Sequence, residues 1–136
     1  MSLSARIIMP IGSDPEYPKK QAAIARGASS VGFEAAFPEY SPENPKFDLK
    51  KILEQFNDSV TVLADLTGER PSCYYELGLA EALGLPIEIF AKVGTDIHQT
   101  YFRSRARFYE NTTDLEALTA STLRPYATGR GQIIAR

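Results

Sequence analysis

Apolar and polar positions along the chain alternate between two periods. Short β-branched or apolar runs read as strands at Arg6–Met9, Gly32–Phe37, Val60–Ala64 and Ile87–Phe90, with Arg107-Phe108-Tyr109 offering one more. Between them lie stretches with helical spacing. Lys19 to Ser30 is helix-like, with Gly32 as its stop; Phe47, Leu49, Ile52, Leu53 and Phe56 follow one helical stripe. Ser72 is placed to cap a helix from about Cys73 to Leu83, which Gly84 and Pro86 end. Thr113 or Asp114 could cap a last helix from Leu115 to Leu123. Pro10 with Gly12-Ser13-Asp14-Pro15, and the proline-rich acidic stretch Pro38 to Pro45, read as loops.

Strands that alternate with helices predict a parallel sheet covered on both faces. The expectation is an α/β chain: one three-layer, doubly wound, mostly parallel sheet of the flavodoxin or Rossmann kind. A single domain would fill residues 1–136, with its core at about 6–126 and a tail, 127–136, left unstructured or partner-bound. In such sheets ligands bind beyond the carboxyl ends of the strands. Met9–Ser13, Asp65–Ser72 and Ala91–Asp96 all follow strands, so they should gather on that edge.

One residue breaks the apolar pattern in a telling place. On the expected helix from Cys73, the residues Leu79, Leu83, Ala80, Cys73 and Leu77 form one apolar arc, and Glu76 falls inside it between Leu83 and Ala80. A carboxylate on the packed side of a helix is costly without partners or a cavity. N–H groups of a helix's first turn favour the ionised form, and an ionised, partly desolvated carboxylate can act as a nucleophile. The plainer alternative is that Glu76 sits at the edge of the stripe and reaches water or meets an arginine.

Composition narrows the field. With 136 residues, 43% hydrophobic and 24% charged, the chain can bury a core of its own. A formal charge of −2 carries no signature of nucleic-acid binding. No apolar run approaches the length of a membrane span, and residues 1–11 do not read as a signal peptide. A single cysteine, Cys73, precludes an internal disulfide, which together fits a cytoplasmic protein. One histidine beside that cysteine argues against a zinc site, and no metal or cofactor is expected.

The string Ala64-Asp65-Leu66-Thr67-Gly68, followed by Tyr75-Glu76-Leu77-Gly78-Leu79-Ala80-Glu81-Ala82-Leu83-Gly84-Leu85-Pro86-Ile87, resembles the nucleoside 2-deoxyribosyltransferase-like proteins. That superfamily includes deoxyribosyltransferases, nucleotide N-glycosidases and TIR-like nucleotide-binding domains. Ile7-Ile8-Met9-Pro10-Ile11-Gly12 is similar to their first strand and loop. The likeness covers about 6–126, with its specific part at 64–87. It implies that Glu76, in the Glu-Leu-Gly motif, attacks the anomeric carbon of a sugar and forms a glycosyl ester. It further implies that Asp48, in Asp48-Leu49-Lys50-Lys51-Ile52, protonates the departing base; as an alternative, Asp48 is a helix N-terminal residue favoured by the macrodipole.

Asp65 either holds a sugar hydroxyl and assists catalysis, or fixes its own turn. Pro10, Ile11, Gly12 and Ser13, with Thr67, Gly68 and Tyr75, are the expected substrate contacts; aromatic packing is the alternative for Tyr74 and Tyr75. Pro71-Ser72-Cys73 stands where the family more usually has Pro-Asn-Val, and the tail has no match to the family's carboxy-terminal residues, which enter a neighbouring subunit's site. The implied activity is cleavage or transfer at the N-glycosidic bond of a nucleoside or nucleotide, by a homo-oligomer acting on a small molecule with no nucleic acid or membrane involved. A non-catalytic nucleotide-binding or signalling module, and cleavage of nicotinamide dinucleotide, stay open beside it.

Overall fold

A computed structural model describes residues 3–38 and 48–128 of the chain. The strands are β1 (Leu3–Ile8), β2 (Phe33–Ala36), β3 (Thr61–Asp65), β4 (Ile87–Lys92) and β5 (Ala106–Tyr109). The helices are α1 (Tyr17–Ser29), α2 (Leu49–Asn57), α3 (Pro71–Ala82), α4 (Thr100–Arg103) and α5 (Thr112–Thr128). All five strands run parallel in the order β2-β1-β3-β4-β5, so the expected doubly wound architecture is present and the tentative last strand is a full member of the sheet. The order reverses between β1 and β3, and α/β sheets open their ligand crevice at that switch point.

Alternation along the strands divides the core into two layers. Ala5, Ile7, Leu63 and Phe90 face α1 and α5 together with Ala23, Ile24, Leu115 and Leu123. Ile8, Val62, Ala64, Ile87 and Ile89 face the other way, where Phe56 of α2 and Cys73, Leu77 and Ala80 of α3 cover them. The α1–α5 crossing is tight at Gly27, where an added Cβ would lie 2.4 Å from the Glu116 carbonyl oxygen. Only a residue without a side chain lets the two helices meet there.

Several element ends differ from the sequence reading. The third helix starts at Pro71, capped by Arg70 in extended conformation with no side-chain bond, and not at Cys73 behind a Ser72 cap. Proline fixes a helical φ at the first position, and the residue before it is driven out of the helical region. Gly84, at φ +75°, ends α3 as expected: its N–H donates to the Glu81 carbonyl while that of Leu85 donates to Ala80. Leu83 therefore lies past the helix end and is 46% exposed, outside the buried stripe it was expected to join.

The last helix is longer than the periodicity implied. Asn111 accepts the Asp114 N–H at 2.8 Å, so the capping residue precedes Thr113 and Asp114. Beyond Leu123 the helix continues through Pro125 to Thr128, and Tyr126 packs on the α1 layer and donates to Glu88 at 3.3 Å. Residues 127–128, expected in the tail, are therefore helical; the loop reading for 39–45 and the tail reading for 129–136 lie outside the described residues. No helix among the described residues is long and apolar enough to cross a membrane.

Gly27→Ala is expected to push α5 away from α1 and to cost about 1–3 kcal/mol, the usual range for overpacking. A urea midpoint lowered at unchanged slope is the readout.

Candidate functional site

Glu76 lies in the second turn of α3, since the helix opens at Pro71. The first-turn N–H groups that were expected to hold its charge are therefore too far back. Its charge partner is instead Arg6, a residue of the central strand β1. Arg6 Nη2 donates to Glu76 Oε1 at 2.8 Å, with the Arg6 side chain 2% and the Glu76 side chain 15% exposed. By alternation with Ile8, Arg6 points to the α2–α3 face, where Phe56 lies 5.9 Å beneath its guanidinium. Arg6 Nη1 donates to the carbonyl of Ala36, at the end of β2, at 3.3 Å, and to that of Ile7. The guanidinium is thus pinned across β1 and β2, and Glu76 is pinned to it.

Burial pushes the Glu76 carboxyl above the usual carboxylate range, and Arg6 pulls it back down. Desolvation is the larger effect, although the ion pair is short and well aligned. Glu76 also raises the pKa of the buried Cys73 thiol one turn earlier, behind the desolvation that dominates there. The plainer sequence alternative, a glutamate meeting an arginine, holds in this sense; the pair is, however, nearly enclosed and sits at the switch point rather than on the surface.

Asp65 belongs to a second cluster on the opposite face of the sheet. It is 2% exposed and accepts from the Tyr109 hydroxyl at 2.6 Å and from the Thr67 N–H at 3.0 Å. The Lys20 ammonium, itself 1% exposed, lies 4.0 Å from Asp65 and 2.5 Å from Asp14. Lys92 N–H donates to Thr67 Oγ1 at 2.8 Å, and Thr67 Oγ1 is 3.2 Å from the Tyr109 hydroxyl. Because the Tyr109 hydroxyl donates to Asp65, Thr67 Oγ1 donates to Tyr109 in turn, an order that suits an ionised Asp65. Burial still raises its pKa, opposed by Tyr109, Lys20 and Thr67; burial and the nearby Asp65 drive that of Tyr109 up as well.

The remaining expected residues divide in the same way. Asp48 caps α2, accepting the Lys51 N–H at 3.1 Å, and because α2 runs antiparallel to the strands this cap lies at their carboxyl edge. In the loop after β1, Pro10 is buried, Ile11 half-buried and Gly12 and Ser13 exposed. Ser13 Oγ donates to the Gly68 carbonyl at 3.3 Å, so the loops after β1 and β3 meet as predicted. Gly68 takes φ +66°, the backbone its turn demands, and the Thr67 side chain is engaged with Lys92 and Tyr109. Tyr75 is exposed beside Glu76, whereas Tyr74 packs against Phe102 and donates to Glu69. Glu69 also accepts from the backbone N–H and the ring Nδ1 of His98, joining the loops after β3 and β4.

Arg6, Lys20 and Tyr109 were not singled out from the sequence. The signal for Arg6 was present, a full charge inside an otherwise apolar central strand. Lys20 and Tyr109 gave none, because each acquires its role only when distant strand ends meet. A shallow surface depression lined by Glu110, Asn111, Thr113, Asp114 and Ala117 lies at the start of α5 and holds none of the candidate residues. Among the described residues, no group of three or more His, Cys, Asp or Glu side chains is arranged to hold a metal ion.

Fold and edge together define a flavodoxin-like α/β protein with an acidic residue at its switch point. No family model and no curated protein matches the sequence. Solved structures do. A diflavin flavoprotein A3 from Nostoc sp. is 14% identical with a TM-score of 0.63, over 98% of this chain and 99% of that one. A 2-deoxyribosyltransferase from Bacillus psychrosaccharolyticus is 17% identical with a TM-score of 0.63, over 88% and 95%. The CMP N-glycosidase BcmB of Clostridium botulinum is 16% identical with a TM-score of 0.58, over 83% and 97%. At these identities the likeness shows the shared fold, and flavoproteins and nucleoside enzymes carry it alike.

Tyr109→Phe removes the hydroxyl that Asp65 accepts from while keeping the ring. The expected cost is about 1–3 kcal/mol, the penalty for a buried acceptor deprived of a donor. Equilibrium unfolding in urea tests it.

Proposed function

We propose that this chain cleaves, or transfers at, the N-glycosidic bond of a nucleoside or nucleotide, with Glu76 as nucleophile. One observation carries the reading: a carboxylate held by a buried guanidinium beside the β1–β3 switch point, desolvated yet still 15% exposed. Departure of a base leaves an oxocarbenium-like carbon, the charge that a fixed carboxylate stabilises. The resemblance of residues 64–87 to deoxyribosyltransferase-like proteins and the fold shared with two such enzymes support the same reading.

In this scheme Asp48, at the same edge on α2, protonates the departing base. The loop Pro10–Ser13, with Gly68 against it and Tyr75 beside Glu76, surrounds the sugar. Asp65 and Thr67, committed to Tyr109, Lys20 and Lys92, set the shape of the edge from the opposite face. Water as acceptor gives hydrolysis; a second base gives transfer.

A second reading rests on Asp48. One oxygen of its carboxylate caps α2 by accepting the Lys51 N–H, a structural role that suits a module which binds a nucleotide without breaking it.

The deciding experiment incubates the protein with pooled nucleosides, nucleoside monophosphates and nicotinamide dinucleotide, and follows free base by chromatography. Base release that Glu76→Ala abolishes is expected; full release by that variant would sink the proposal. Thermal stabilisation by intact nucleotide with no base released would favour the binding module. Asp48→Asn should lower kcat about 100-fold if it donates the proton, and leave kcat unchanged if it only caps α2.

The acid limb of the pH–rate profile should also be displaced. Attack needs ionised Glu76, and burial raises its pKa, so activity is lost as pH falls through a midpoint above the ordinary glutamate value of 4.5. A midpoint at or below 4.5, in a wild-type profile of base release, would contradict that assignment.

A further inference from the structure

We propose that Arg6 is a positioning residue that selects which oxygen of Glu76 attacks and sets how fast the resulting glycosyl ester breaks down. The proposal rests on Glu76 being the nucleophile. Its basis is the asymmetry of the ion pair. Arg6 Nη2 donates to Oε1 at 2.8 Å, while Nη1 is turned to the carbonyls of Ala36 and Ile7. With Phe56 packed under the guanidinium plane and the side chain 2% exposed, the donor cannot swing to follow the carboxylate. Arginine's planar fork permits this division of labour; an ammonium has no such fixed geometry.

The chemistry follows from that division. Oε2 donates its electron pair to the anomeric carbon, the C–N bond breaks, and its pair stays on the base nitrogen, which takes a proton from Asp48 or solvent. Oε1 is then the carbonyl oxygen of the ester and still accepts from Arg6. In the second step a water oxygen bonds to the anomeric carbon, the C–Oε2 bond breaks, and its electron pair returns to the carboxylate. The water's surplus proton leaves to solvent. Negative charge reappears on a carboxylate that Arg6 stabilises, so Arg6 makes Glu76 a better leaving group than an unpaired buried carboxylate would be. Without Arg6 the ester is the favoured resting place for Glu76, because the neutral ester suits a desolvated site better than the anion does.

The test compares wild type, Arg6→Lys, Arg6→Met and Glu76→Gln in single-turnover base release and in intact-protein mass after acid quench. Circular dichroism checks that each variant is folded. Expected is a burst of base with Arg6→Met, followed by breakdown slowed about 10- to 100-fold and a sugar adduct that wild type does not accumulate. Arg6→Lys, which keeps the charge and loses the fork, should fall between, and it carries the test if Arg6→Met does not fold. Adduct-free turnover at the wild-type rate in both variants overturns the proposal. Should wild type itself release no base, the glycosidase reading fails and the carboxyl 13C titration of Glu76 decides what is left. A midpoint higher in an Arg6 variant than in wild type upholds Arg6's hold on the carboxylate; an unmoved midpoint overturns it.

Discussion

A guanidinium on the central strand of a parallel sheet faces a strict requirement. Neighbouring strands take up the backbone, helices cover both faces, and little water can enter to solvate the charge. Arg6 meets the requirement with three kinds of partner at once: carbonyls at the ends of two strands, an aromatic ring beneath, and a carboxylate arriving on α3 from seventy residues along the chain. That last partner fixes the rotation of α3 about its own axis. With Glu76 turned inward, Cys73, Leu77 and Ala80 must face the sheet, and Tyr75 is left facing out. The ion pair therefore ties β1 to α3 and sets which side of α3 meets the sheet. A buried pair of this kind does little for net stability, but losing one partner strands the other.

The two faces of the sheet divide the charged groups between them. Above β1, Arg6 and Glu76 stand over the α2–α3 layer. Toward the α1–α5 layer, Asp14, Lys20, Asp65 and Tyr109 form a connected set, with Lys92 reaching Glu16 at its rim at 3.2 Å. The Arg6–Glu76 pair is the more open of the two, with Glu76 15% exposed where Asp65 is 2% exposed.

Much of this was legible in the sequence, for physical reasons that can be named. Short apolar runs marked the strands, because helices cover both faces of the sheet, and period-3.6 stripes marked every long helix, because each helix buries a single face. Gly84 announced the end of α3 because its positive φ is a requirement of local backbone. Glu76 stood out as a charge in an apolar stripe. What stayed hidden depended on meetings between distant segments. The start of α3 was misplaced because a proline at the first helical position outweighed a serine cap. Leu83 looked like core by periodicity, yet the helix had already ended. For Glu76 the sequence offered the helix's own N–H groups or, as the plainer alternative, an arginine; that the arginine is Arg6 on β1 was not legible.

The Asp65 cluster has a mechanical meaning. Asp65 at the end of β3 and Thr67 just after it, the Lys92 amide on β4 and the Tyr109 hydroxyl on β5 are bonded across three strand ends, and Lys20 ties α1 to the same knot. The opposite end of the sheet has no comparable brace among the described residues: β2 is a four-residue edge strand joined to β1 by its backbone ladder and by Arg6 at Ala36. The braced end ties β3, β4, β5 and α1 into one unit, whereas a change at Ala36 touches only the β1–β2 ladder and the Arg6 contact.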